Sequence, residues 1–168
     1  TQLGDLFSNM YLKVTLPNIP APYVTSANIG RHLIKQVEFM INETTVETLY
    51  DDWYVIRDQL FLDADEQNAM TTLMTGVANE VFIPLEFFFC RRYSRSTGRQ
   101  RLRKPYFPIC AMGNQKMYLR FTFQPNTWWS NVAVPNTYDI YPTGTNLYPK
   151  LITEEILLDT KERLYYKN

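Results

Sequence analysis

Few residues of this 168-residue chain have the types and spacing that bond-making chemistry needs. Asp51 and Asp52 stand beside Trp53, which in a sugar hydrolase would be a carboxylate pair next to a stacking ring. Such carboxylates must flank a bond across a cleft, about 5 to 9.5 Å apart. Adjacent helical residues do not face each other, so these acids read as the start of a helix. His32 is the only histidine, and any Ser-His or Cys-His arrangement would depend on it. No nucleophile-elbow motif accompanies it, and a structural histidine is the better reading. Cys90 and Cys110 are too few for a disulfide framework or a zinc site. They read as reduced, buried thiols, with a single bridge between them left open. No carboxylate run has calcium-loop spacing. The expectation is a non-enzymatic chain that needs no metal or organic cofactor to fold.

What remains is recognition chemistry. Arg91, Arg92, Arg95, Arg99, Arg101, Arg103 and Lys104 form a basic segment without one acidic residue. The rest of the chain then has ten basic and seventeen acidic residues, nine of the acids between Glu38 and Glu66. The chain is therefore electrically two-ended, although its formal net charge is zero. Exposed charge runs are most often solvated loops. Subunit contact is the next reading, because guanidinium groups pair bidentately with carboxylates and the acidic stretch, Asp51 and Asp52 included, supplies them. Nucleic acid comes last: few aromatics interleave with the arginines and no groove-reading helix is in view. Trp128 and Trp129 suit either sugar stacking or, more commonly, anchoring of a loop on a sheet. Asn42-Glu43-Thr44 fits the N-glycosylation pattern, a short match that is expected to stay unmodified.

The elements that must position these residues are mostly strands. Leu12, Val14 and Leu16 alternate with Tyr11, Lys13 and Thr15, the period of a half-buried strand. Within Leu33 to Ile41, Val37, Phe39 and Ile41 oppose Gln36 and Glu38. Val81 to Phe89 is apolar on both faces, with Pro84 arguing for an edge or a bulge. Lys116 to Phe123 alternates best, and Leu151 to Leu158 reads as a last strand. Leu12, Val14, Val37, Phe39, Phe87, Leu119 and Phe121 are the expected core. Thr48 with Asp51 fits a helix-capping pattern, followed by an apolar stripe of Leu49, Trp53, Ile56 and Leu60. A second short helix is expected from Asp65 to Met74. Residues 126 to 149, rich in Pro, Asn, Thr and Tyr, read as a long ordered loop.

Twelve Tyr, ten Phe and three Trp suit a pleated surface, and ten Pro against six Gly favour loops over long helices. A chain near 150 residues can bury roughly 68–70% of its unfolded surface, enough for its own core. No apolar run is long enough to span a membrane, and no secretory signal is apparent. The first residue is Thr, so the chain reads as processed or as a fragment. Many strands with one or two inserted helices indicate an all-β, antiparallel β-sandwich, and pattern alone leaves jelly-roll, immunoglobulin-like and lectin-like versions open.

Four stretches narrow that choice. They are Gly4-Asp5-Leu6-Phe7-Ser8-Asn9-Met10-Tyr11-Leu12; His32 to Glu38 with Tyr50, Trp53 and Leu60; Phe82 to Arg91 with Pro108 to Met112; and Glu155 to Thr160 with Glu162 and Arg163. In this order they resemble the major capsid proteins of nucleocytoplasmic large DNA viruses. The resemblance implies a jelly-roll sandwich and places residues 1–168 as a single jelly-roll domain, the first of two in a longer chain. It departs from the family in the longer basic insert before Pro108 and in the missing second jelly roll. A fragment and a single-jelly-roll relative both fit.

The resemblance implies a structural capsid protein that forms trimeric capsomers of an icosahedral shell. The implied partners are other copies of itself, as a homotrimer and in neighbouring capsomers, and minor capsid proteins. No specific nucleic acid and no membrane span are expected. The implied location is the virion, with assembly in the host cell cytoplasm. A carbohydrate-binding β-sandwich, with Trp128 and Trp129 as stacking rings, is the alternative.

Overall fold

The computed structural model describes residues 4–16, 28–75, 80–90, 105–124 and 149–167. Strand β1 (Leu6–Thr15) is the centre of the first sheet. Its alternation sets the faces: Met10, Leu12 and Val14 are buried, Tyr11 and Lys13 half-buried. Strand β7 (Lys150–Ile156) lies antiparallel along one edge of β1. On the other edge β4 (Glu80–Pro84) and the two-residue β5 (Phe107–Pro108) follow one another, both antiparallel. Leu12 faces Ile83 and Val14 faces Val81 across that ladder.

The strand expected from Val81 to Phe89 ends at Pro84. Proline has no N–H to give a ladder, and after one more bond, Leu85 N–H to the Met10 carbonyl at 2.9 Å, the chain turns. The turn is closed by Cys90 N–H donating to the Phe87 carbonyl at 2.8 Å. The burial pattern survives the change of backbone: Ile83, Leu85, Phe87 and Phe89 are all fully buried.

The second sheet has the order β3-β2-β6, with β2 (Ile34–Ile41) central, β3 (Thr44–Tyr50) on one side and β6 (Met117–Phe123) on the other. Asn42 turns the β2–β3 hairpin at φ 54°, a left-handed conformation that Asn tolerates better than most residues. Its side chain and backbone both bond Lys116, which ties this turn to the entry of β6. Val37 pairs with Phe121 and Phe39 with Leu119. Val37 and Phe39 are buried as expected, but Leu119 and Phe121 are only half-buried. The reason is position: β2 has a partner on both edges, whereas β6 is an outer strand of the sheet among the described residues.

The two sheets share one core, and its middle is aromatic. Phe39 of the second sheet lies 5.1 Å from Phe107 of the first, centroid to centroid, and 5.5 and 5.4 Å from Phe87 and Phe89. Edge-on and tilted contacts of this kind add about 0.5–1.5 kcal/mol per pair to the gain from burial. Glu47 of β3 accepts the Phe88 N–H at 2.7 Å, a polar link between the second sheet and the turn after β4.

Helices α1 (Ile29–Leu33), α2 (Asp51–Phe61) and α3 (Ala64–Thr75) cover one end of the sandwich, and α4 (Thr160–Lys167) follows β7. The helix expected from Asp65 to Met74 is α3. Asp63 and Glu66 form its capping box: Asp63 Oδ1 accepts the Glu66 N–H at 2.9 Å and Glu66 Oε2 accepts the Asp63 N–H at 3.2 Å. Asp159 and Glu162 do the same for α4.

Helix α2 corrects two expectations. Thr48 does not cap it, because Thr48 and Leu49 belong to β3 and the helix starts at Asp51. The stripe of Leu49, Trp53, Ile56 and Leu60 does not face the core either. Leu49 is buried from its strand and Trp53 is half-buried, but Ile56 and Leu60 point to solvent, and Tyr54 is the buried residue of the helix.

Candidate subunit interface

The acids at the start of α2 have different roles. Asp51 Oδ2 accepts a bond from Gln124 Nε2 at 2.8 Å, and Gln124 is buried at the end of β6. Asp51 Oδ1 accepts the Asp52 N–H at 2.9 Å. Asp51 therefore joins the helix start to the second sheet and is half-buried, whereas Asp52 is exposed. Both also complement the positive end of the helix dipole. Neighbouring helical positions do not face each other, which argues against the paired geometry that glycoside hydrolysis would need.

Arg91, Arg92, Arg95, Arg99, Arg101, Arg103 and Lys104 lie outside the described residues, as do Trp128 and Trp129. Of the candidate contact residues, the structure therefore places Asp51 and Asp52. His32 is half-buried in α1. Cys90 and Cys110 are free thiols, half-buried where full burial was expected. Among the described residues, no group of three His, Cys, Asp or Glu side chains could hold a metal ion, and no helix is long and apolar enough to cross a membrane.

Sequence reasoning missed a bidentate ion pair between two helices. Arg31 of α1 meets Asp58 of α2 through two bonds, Nε to Oδ2 at 2.8 Å and Nη2 to Oδ1 at 2.9 Å. The Arg31 guanidinium also sits 4.6 Å from the centre of the Tyr54 ring. One residue before Asp58, Arg57 Nε meets Glu86 Oε2 at 2.6 Å, and Glu86 is buried in the segment after β4. These pairs fix the rotation of α2 against the sandwich. No periodic pattern announces them, since the partners come from three separate parts of the chain.

A second polar clasp joins the residue before β1 to α4 and the segment that leads into it. Asp5, buried just before β1, accepts the Leu158 N–H at 2.9 Å and Arg163 Nη2 at 2.8 Å. The hydrogen bond from Arg163 to Asp5, followed by the Asp5 charge, holds this guanidinium still more firmly protonated than an ordinary arginine.

Residues 1–148 match the family model described as "Major capsid protein N-terminus". The major capsid protein of Pyramimonas orientalis virus is 31% identical over 102 residues, covering 52% of this chain and 26% of the relative. "Probable capsid protein 4" of Acanthamoeba polyphaga mimivirus is 24% identical over 142 residues, covering 72% of this chain and 26% of the relative. The chain thus spans about a quarter of the length of these relatives. Among solved structures, PBCV-1 VP54, fitted into a reconstruction of the virophage Sputnik, superposes with a TM-score of 0.70. A quasi-atomic model of the PBCV-1 virus capsid gives 0.71. Each is 22% identical, with 99% of this chain and 39% of the other covered. The fold is accordingly an antiparallel β-sandwich of jelly-roll type.

Proposed function

Because this chain belongs to the major capsid protein N-terminus family of large DNA viruses, we propose that it is a building block of an icosahedral virus shell, acting as a trimeric capsomer subunit. The observation that carries this reading is the family match over residues 1–148, on a sandwich built of the matching fold. Proteins of this family are structural, and the work of the chain is burial and charge pairing between copies, with no bond made or broken. We place residues 1–168 as the N-terminal jelly roll of a longer double jelly-roll chain. Its partners are two further copies in the trimer, neighbouring capsomers and minor capsid proteins. Its site is the virion, with assembly in the host cytoplasm.

Part of the contact chemistry falls to Arg91, Arg92, Arg95, Arg99, Arg101 and Arg103, set against acids such as Asp51 and Asp52 on another copy. A ring of identical subunits needs two different, complementary patches. Interface charges chiefly steer encounter and register, and are screened by salt. Native mass measurement of the purified protein should find a trimer; a monomer at every concentration overturns the reading. Changing Arg95, Arg99 and Arg101 together to Glu should slow trimer formation at low salt while leaving the melting of the monomer unchanged. Assembly at the wild-type rate would remove the basic segment from the contact.

A further inference from the structure

Helix α2 is built inside out. Its charged residues Arg57 and Asp58 turn inward, with side chains 16% and 21% exposed. Ile56, Leu60 and Phe61 are 49%, 70% and 60% exposed. Asp52, Ile56 and Leu60 follow at intervals of four, so they lie along one outward stripe. A helix that merely covered a sheet would bury Ile and Leu and leave Arg and Asp in water. Buried ion pairs commonly give no more stability than apolar residues of the same volume. What the Arg31–Asp58 and Arg57–Glu86 pairs provide here is orientation: they hold the apolar stripe away from the core.

An exposed apolar patch with a polar rim marks a contact surface. The rim here is acidic, with Asp52, Asp63 and Asp65 all exposed. The matching occupant must be basic and partly apolar, and this chain carries such a face itself. Tyr118 and Arg120 project from the outward side of β6, Tyr118 48% exposed and the Arg120 side chain 62%. Arg120 reaches Glu38 with a single nitrogen at 3.4 Å, a weak and open contact. Lys116, exposed just before the strand, adds a second positive charge. We propose that the outward face of α2 and α3 on one copy docks against the outward face of β6 on a second copy. Two unlike faces on one chain make the head-to-tail contact from which a closed ring is built. The proposal rests on the self-assembly reading above and names surfaces that this reading leaves open.

The test is the association constant of the purified protein by sedimentation equilibrium, with thermal melting alongside. Leu60→Asp should weaken association by about tenfold or more, as loss of an apolar contact does, without lowering the melting temperature at dilutions where both proteins are monomeric, since association itself raises the midpoint. Asp52→Lys and Arg120→Glu should each weaken it, and the two together should recover part of the loss. Unchanged association in Leu60→Asp overturns the proposal. So does a fall in the melting temperature of the dilute monomer with that variant, which would mean that the chain covers the face itself. A double variant that recovers nothing shows that β6 is not the complementary face, and overturns it as well. A wild-type protein that stays monomeric sinks the assembly reading and this proposal together; association indifferent to all three variants sinks this proposal alone.

Discussion

Arg31 and Asp58 are joined by two bonds of 2.8 and 2.9 Å in a place where the arginine is almost wholly shielded from water. Removing one partner of such a pair strands the other charge, at a cost of about 3–5 kcal/mol. Asp58→Ala should therefore lower the unfolding free energy by an amount in that range. The double variant Arg31→Met with Asp58→Leu should lose less than Asp58→Ala alone, since no charge is left behind. Urea unfolding of the three proteins checks this. A double variant worse than the single one would show that the pair stabilises the fold by more than its desolvation costs.

Phe39 is the hub of the aromatic core, touching rings of the first sheet and of the turn after β4. Phe39→Ala should cost about 3–5 kcal/mol, the sum of lost transfer energy and the cavity left behind. Phe39→Leu should cost less, because it refills part of the volume. Equilibrium denaturation measures both; a loss under about 1 kcal/mol for the alanine variant would mean that the two sheets do not pack through this ring.

Much of this was legible from period two alone. Leu12, Val14, Val37 and Phe39 are buried on the faces their spacing assigned. Pro84 was rightly a warning, yet it ends the strand where a bulge or an edge was expected. Leu119 and Phe121 have the right face but too little cover, because alternation reports the face and not the neighbours. Helix α2 departs from its sequence pattern for a different reason. Apolarity predicts which stripe faces inward, while the rotation is set by Arg31 and Glu86, remote in sequence. Thr48 with Asp51 has the spacing of a cap, yet Asp63 with Glu66 forms the working one. Of the proposed contact surface, sequence alone singles out the acids Asp51 and Asp52. The outward Ile56 and Leu60 became visible only with the fold.

Gly30 of α1 sits where a side chain has no room. A Cβ there would lie 2.9 Å from Met74 Cγ and 3.0 Å from Val81 Cγ1. Alanine would gain about 0.5–1 kcal/mol of backbone entropy in a helix, but overpacking costs about 1–3 kcal/mol. Gly30→Ala should thus destabilise on balance. Placed in a Met74→Ala background, the same change should cost less, because two of the three close contacts belong to Met74. A double-mutant cycle with no coupling would refute the close packing of α1 on α3.

Asp5 holds α4 through the Leu158 N–H and the Arg163 guanidinium. Asp5→Ala removes both bonds and should let α4 open locally while the rest of the sandwich stays closed. Amide hydrogen exchange should speed up in residues 158 to 166 and stay unchanged in β2. Uniform acceleration over the whole chain would mean that the clasp supports global stability instead.

Tyr11, on β1, gives a test in alkali. Its burial, and after that the charges of Glu154, Cys90 and Glu86, push the phenol above its ordinary value of 10.0. The unfolded chain ionises this phenol at the ordinary value, while the folded protein keeps it protonated to higher pH. A raised pKa in the folded state means that the stabilising contribution is complete below pH 10.0 and is lost as pH climbs through the folded value. Tyr11→Phe keeps the ring and deletes the titrating group. Urea midpoints measured from about pH 8 to about pH 11.5 should therefore fall less steeply above pH 10.0 in the variant than in the wild type. Parallel curves would show that Tyr11 is solvated well enough to titrate as it does in the unfolded chain.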